Sequence, residues 1–275
     1  MKAEEIIIAC SRPIMFELDN PYARYGIGGS AVLGSYFGVW FLLTADHCLD
    51  YVATHPTKIT NEHVKMLMVP LIDGSRLFFS YTAFTNTRRQ AKDILDKTDM
   101  AILRIAPPSQ AALEGLNLDV ISFDCCSKLP LDIPVGTRLV MRGYPHSLKN
   151  EASYSDDEID AGDIRRQGLL NSGTYIGNDP YAEACHIFKI DCLNKIPGND
   201  LNGMSGSPVF SITQTTGNKE ILDFAGLFIG RKKFLPDQGI FIDRSVFISR
   251  LPAVINASLQ DRTSHPIVGV IKIIP

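Results

Sequence analysis

Residues 203–208 read Gly-Met-Ser-Gly-Ser-Pro and run directly into the strand-like Val209-Phe210-Ser211-Ile212. A serine between glycines is a hydroxyl presented on a tight turn, and the backbone N–H groups of such a turn can face a developing oxyanion because no Cβ blocks the approach. Ser205 therefore has the setting of a nucleophile, although such turns are also ordinary punctuation between strands. Upstream, Leu42-Leu43-Thr44-Ala45-Asp46-His47-Cys48 is an apolar strand ending in a small polar turn that presents His47. Asp99 stands at the mouth of another apolar strand, Met100-Ala101-Ile102-Leu103, where burial demands hydrogen-bond partners. Taken singly, each is most often a structural residue or a turn cap. Taken together, they supply a base, an acid to orient it and a nucleophile, the set needed for attack on a carbonyl.

The elements that must position these groups are short runs of β-branched and aromatic residues bounded by Gly, Pro, Asn or Asp. Strands are expected at 38–44, 64–71, 76–81, 100–105, 138–142, 168–176, 186–192, 208–213, 224–230 and 239–243. Helical spacing is clearest where Val246, Ile248, Leu251, Val254, Ile255 and Leu259 can share one face, with Pro252 able to kink the run. Pro107-Pro108, followed by small residues to Gly115, reads as a connector between two β units. Between Lys149 and Asp163 the chain is acidic and lacks apolar periodicity, which predicts an exposed loop. Solvation is its simple reading, and recognition of a basic partner is the sharper one.

The chain has 275 residues, 45% of them hydrophobic, enough for one large domain or two small ones. A net charge of -3 with no basic block argues against a general nucleic-acid binder. The apolar run Ile6 to Cys10 is too short for a secretory core, and no stretch approaches the roughly 20 residues of a membrane span. A soluble, cytoplasmic protein is expected, with its six cysteines kept as thiols. Cys185-His186 with Cys192 lacks the second ligand pair of a zinc site, so neither metal nor cofactor is expected.

With His47, Asp99 and Ser205 in that order, the chain resembles the trypsin-like (chymotrypsin-fold) serine peptidases, especially the bacterial stand-alone types. Their Thr-Ala-x-His-Cys, Asp-hydrophobic-Ala-hydrophobic-Leu and Gly-x-Ser-Gly-Ser/Gly-Pro motifs match at these three positions, and the similarity spans most of residues 25–250. It implies an all-β fold of two six-stranded antiparallel barrels with a C-terminal helix. The divisions it implies are an N-terminal arm (1–24) packed across the second barrel, a first barrel (25–106) and a linker (107–117). A second barrel (118–243) and a C-terminal helix and tail (244–275) follow. It further implies that His47 is the general base and Asp99 its orienting acid. Ser205 would be the nucleophile, and the N–H groups of Gly203 and Ser205 the oxyanion hole.

The α/β-hydrolase pattern does not fit, because Ser207 stands where that elbow needs glycine and only His265 follows the nucleophile. Two departures from the resembled family matter. Met204 occupies the place of the aspartate that pairs with a new N-terminus in zymogen activation, so that route is closed. Cys48 lacks its bridging partner, which would lie on the strand containing Gly29-Ser30-Ala31-Val32. By resemblance, Asn199, Asp200, Leu201, Ile229, Gly230, Arg231 and Gly239 line the substrate pocket. A desolvated aspartate there would favour Arg or Lys at the cleaved position, whereas its pairing with Arg231 would leave an apolar pocket. The expected activity is that of a serine endopeptidase acting on a restricted set of intracellular protein or peptide substrates, with a regulatory partner or loop as its control. The alternatives are a peptidase-fold binding module that does not cut, and an esterase using the same three residues.

Overall fold

The computed structural model describes residues 3–17, 25–48, 66–70, 76–80, 99–104, 120–124, 126–145, 168–182, 184–191, 201–214 and 220–252. Helix α1 (Ala3–Cys10) leads into β1 (Ser11–Glu17), β2 (Tyr25–Tyr36), β3 (Val39–Thr44), β4 (Met66–Pro70), β5 (Arg76–Ser80) and β6 (Ala101–Arg104). A two-residue strand, β7 (Ile121–Ser122), precedes β8 (Arg138–Gly143), β9 (Leu169–Asn178), β10 (Cys185–Ile190), β11 (Pro208–Gln214), β12 (Glu220–Lys232) and β13 (Leu235–Asp243). Helix α2 (Arg244–Ile248) follows.

The second half of the chain is the expected six-stranded barrel, closed in the order β10-β13-β12-β11-β8-β9 with every pair antiparallel. Inward-facing Leu139, Met141, Tyr175, Phe188, Val209, Phe228 and Phe241 fill it, as period-two alternation requires. The first half is a seven-stranded sheet ordered β5-β4-β1-β2-β3-β6, open among the described residues, with β7 added parallel to β2. Phe37 (φ 46°) and Gly38 (φ 77°) join β2 to β3, both left-handed as a tight two-residue hairpin requires.

The N-terminal segment departs from the expected arm. α1 lies against the second barrel, where Ile7 joins the cluster of Val140, Phe210 and Phe224, and β1 touches that barrel at its start, through the bond from the Ser11 hydroxyl to the Arg142 carbonyl. Residues 11–17 pair with β2 over seven positions and with β4, so they belong inside the first sheet. Pro13 is accommodated because it falls before the stretch of β1 that pairs with β4. Likewise β7, placed by sequence in the second unit, pairs with β2 of the first. The expected connector at 107–117 lies outside the described residues.

Between sheet and barrel, Phe123 forms the junction. It stacks on Phe41 of the sheet and meets Phe224 of the barrel and Phe247 of α2 edge-on, at centroid distances of 5.1 and 4.9 Å. Helix α2 ends at Ile248, residues 251–252 are helical again after a turn at 249–250, and the expected apolar positions beyond Pro252 lie outside the described residues. Asp243 caps α2 by accepting from the Ser245 N–H at 2.7 Å, and the same carboxylate accepts from His186 Nε2 (2.8 Å) and the Leu131 N–H (2.6 Å). His186 also meets the Tyr175 hydroxyl through Nδ1 at 2.9 Å, so both ring nitrogens serve a buried structural network. These hydrogen bonds hold the Asp243 carboxyl below its ordinary range, against the effect of burial.

Candidate active site

Strand pairing brings His47 and Asp99 together. β3 and β6 run antiparallel with Thr44 opposite Ala101, so the turn leaving β3 and the residues entering β6 share one end of the sheet. There Asp99 Oδ1 accepts from the His47 backbone N–H at 2.8 Å, while Oδ2 bonds ring Nδ1. Gripping both backbone and ring fixes the imidazole orientation, places its proton on Nδ1 and leaves Nε2 as the basic nitrogen. The bond to Asp99, aided by the Cys48 thiol and opposed by burial, pushes the His47 pKa from 6.5 up to about 10.

Ser205 lies at the same end. Its carbonyl accepts from the Ser30 N–H of β2 at 2.7 Å and from the Cys48 thiol at 3.3 Å, so the residue after His47 touches the nucleophile turn directly. A Cβ on Gly29 would fall 2.4 Å from Cys48 Sγ, which identifies the strand position facing this cysteine; Cys48 is in no disulfide.

The turn itself is two turns in series. The Met204 N–H bonds the Leu201 carbonyl at 2.9 Å, and the Ser207 N–H bonds the Met204 carbonyl at 3.0 Å. Gly203 (φ 91°) and Gly206 (φ 87°) each occupy the third position, which makes both turns type II and explains why glycine recurs at this spacing. Among the described residues, neither the Gly203 nor the Ser205 N–H donates to a protein acceptor. Two oriented, unused donors flanking a serine can stabilise an oxyanion.

Gly206 is under the tightest constraint. A Cβ there would lie 1.8 Å from the Ser30 carbonyl oxygen and 2.6 Å from Thr44 Oγ1. Gly206→Ala is expected to cost about 3 kcal/mol or more, through overpacking plus left-handed strain, read as a drop in the urea midpoint.

Met204 answers how the turn is held without a carboxylate. Its side chain is fully buried in the barrel core with Leu201, Val209 and Phe228, so packing replaces an ion pair. Met204→Ala should therefore lose about 2–5 kcal/mol, whereas Met204→Leu should lose less than about 1.5 kcal/mol, by thermal denaturation.

The Ser205 hydroxyl donates to the Ile229 carbonyl at 3.3 Å rather than to His47. Ile229 is the extra residue of a bulge, since Phe228 pairs with Phe241 and Gly230 with Ile240. Bulges re-aim backbone groups, and this one turns a carbonyl toward the nucleophile. Of the other pocket residues named by sequence, Gly230 has φ 154° and Gly239 lies against the rings of Phe188 and Phe228. Leu201 is packed in the barrel core, Arg231 is half-buried, and Asn199 and Asp200 fall outside the described residues.

Several structures share this architecture. A serine endoprotease from Yersinia pestis has a TM-score of 0.51 at 13% identity, covering 94% of this chain and 68% of its own. A thermostable serine protease, AL20, from an extremophilic microorganism gives 0.51 at 13% identity, covering 91% and 99%. The active form of the Rv3671c protease from M. tuberculosis gives 0.50 at 12% identity, covering 96% and 86%. The chain has the trypsin-like serine peptidase fold. No protein-family model and no curated protein sequence matches it, so the likeness rests on structure.

Within this trypsin-like fold, Ser30, Thr44, Gly143 and Tyr144 join the site without having been singled out by sequence. Thr44 Oγ1 donates to the Ser30 carbonyl at 2.7 Å, and a Cβ on Gly143 would strike Ser207, Ser30 and Met204. Their signal is weak because each acts through neighbours that only the folded chain brings together. Among the described residues no cluster of His, Cys, Asp or Glu could hold a metal, and no helix is long and apolar enough to cross a membrane.

Proposed function

We propose that the protein is a serine endopeptidase working through His47, Asp99 and Ser205. The observation that carries this reading is an Asp99-oriented imidazole beside a double glycine turn whose Gly203 and Ser205 N–H groups donate to no acceptor among the described residues. His47 Nε2 takes the Ser205 proton as Oγ bonds the substrate carbonyl carbon, and the carbonyl π electrons move to oxygen, facing the two N–H groups. Collapse breaks the C–N bond, the leaving amine receives the proton from His47, and water hydrolyses the acyl-enzyme by the same route. Before this the Ser205 hydroxyl must rotate from the Ile229 carbonyl, which frees that carbonyl for a substrate N–H.

Backbone bonding between the nucleophile turn and β12 ends at Phe228, and among the described residues nothing on that side pairs with the backbone from Ile229 onward, where an extended chain could add as a strand. This edge favours a peptide over a compact ester. The buried free thiols Cys10, Cys48 and Cys185 are consistent with action in a reducing compartment. A fluorophosphonate probe followed by peptide mass mapping tests the reading: Ser205 should carry the label. A folded protein that takes up no label supports the non-cutting binding module instead. Cleavage of a peptide library then separates peptidase from esterase.

A further inference from the structure

Every polar group of Ser30, which is fully buried on β2, is committed to the nucleophile turn or its supports. Its N–H donates to the Ser205 carbonyl at 2.7 Å, and its carbonyl accepts from Thr44 Oγ1 at 2.7 Å. Its hydroxyl accepts from the Tyr144 N–H at 3.0 Å and donates to the Gly203 carbonyl at 2.8 Å. The direction of that last bond is forced: Tyr144 N–H can only donate, so the hydroxyl proton is left for Gly203. One residue of the first sheet thus holds the carbonyls on both sides of Met204.

The Gly203–Met204 peptide is then fixed at both its poles, by Ser30 at oxygen and by the Leu201 carbonyl at nitrogen. A type I turn, with negative φ at Gly203, would rotate only the Asn202–Gly203 peptide and leave both of these bonds in place, so the Ser30 hydroxyl acts on where the turn sits and not on its type. Packing of Met204 holds the side chain but exerts no directional force on the Gly203 carbonyl. We infer that Ser30 is a positioning residue, whose hydroxyl anchors the turn against the first sheet and so sets where the Gly203 N–H stands relative to the oxyanion. The inference rests on Ser205 being the nucleophile. It makes the oxyanion donor depend on docking of the first sheet against the second barrel.

A matched control exists. Ser11 is equally buried, and its hydroxyl donates to the Arg142 carbonyl at 2.7 Å, another bond from first sheet to second barrel that does not touch the turn. Ser30→Ala should lower kcat and the rate of fluorophosphonate labelling about tenfold to a hundredfold, with KM within about twofold. Ser30→Cys, which keeps a weaker donor, should fall between Ser30→Ala and wild type and carries the test if the alanine variant does not fold. Ser11→Ala should show a similar loss of thermal stability with kcat within about threefold of wild type. Wild-type kcat in both Ser30 variants, or equal kcat losses in Ser30→Ala and Ser11→Ala, would overturn the inference while leaving the nucleophile reading intact. A wild-type protein unlabelled at Ser205 would overturn both.

Discussion

Ser205→Ala and His47→Ala are each expected to reduce kcat about 10⁶-fold on a cleaved peptide, and the double variant should be no slower than either single one. The reason is that the two side chains act in one event. Without the hydroxyl there is no bond to form, and without the imidazole the hydroxyl keeps its proton, so removing the second partner removes nothing further. Stability should change by less than about 1 kcal/mol in Ser205→Ala, which gives up only the 3.3 Å bond to the Ile229 carbonyl, whereas His47→Ala also loses the pair with Asp99 and should be the less stable of the two. What remains would come from Gly203 and Ser205 N–H groups and from substrate binding. Additive losses in the double variant would mean that the residues act separately. A His47→Ala variant within about 100-fold of wild type would show that another group takes the proton.

Much of this fold is legible locally. The apolar runs at 39–44 and 101–104 and all six strands of the closed barrel are visible as period-two or fully buried stretches between turn residues. The candidate site is legible for a related reason: His47, Asp99 and Ser205 sit at strand ends, and strand ends are marked by the change from apolar to polar or glycine residues. What escapes is whatever depends on pairing across the sheet. Residues 11–17 contain a proline and adjoin a helix, so nothing local shows that they lie between β2 and β4. β7 is two residues long and owes its existence to Gly34 and Ser35 of β2. Where α2 begins is set by the Asp243 cap and by the room for Phe247 and Ile248 at the junction, which apolar spacing alone does not show.

Ser30 and Met204 illustrate the same limit at the site. As a letter, Met204 shows only that a charged anchor is missing; its replacement, burial among Leu201, Val209 and Phe228, exists only once the barrel has closed. Ser30 is one polar residue in a glycine-rich strand. Its four hydrogen bonds reach residues up to 175 positions away, for which sequence spacing carries no signal. The residues that perform chemistry are thus easier to read than those that aim them, because the former need particular side chains and the latter need particular neighbours.

Asp99→Asn should lower kcat about 10⁴-fold and move the pH dependence of kcat/KM toward acid. An amide facing Nδ1 can donate to it, which drives the imidazole proton onto Nε2, where the serine proton must be received. The pH effect has a definite sign. The Asp99 bond raises the His47 pKa from 6.5 to about 10, so in the wild type the imidazolium persists above neutrality and kcat/KM should keep climbing into the alkaline range. Without the carboxylate, the midpoint should fall back toward 6.5. Because the folded-state value is the higher one, the pair stabilises the fold fully below 6.5 and loses that contribution as pH rises toward 10. The stability difference between wild type and Asp99→Asn should therefore shrink across the same interval. NMR titration of the His47 ring reads the midpoint directly, and a wild-type value at or below 6.5 would mean that Asp99 does not hold the charged ring.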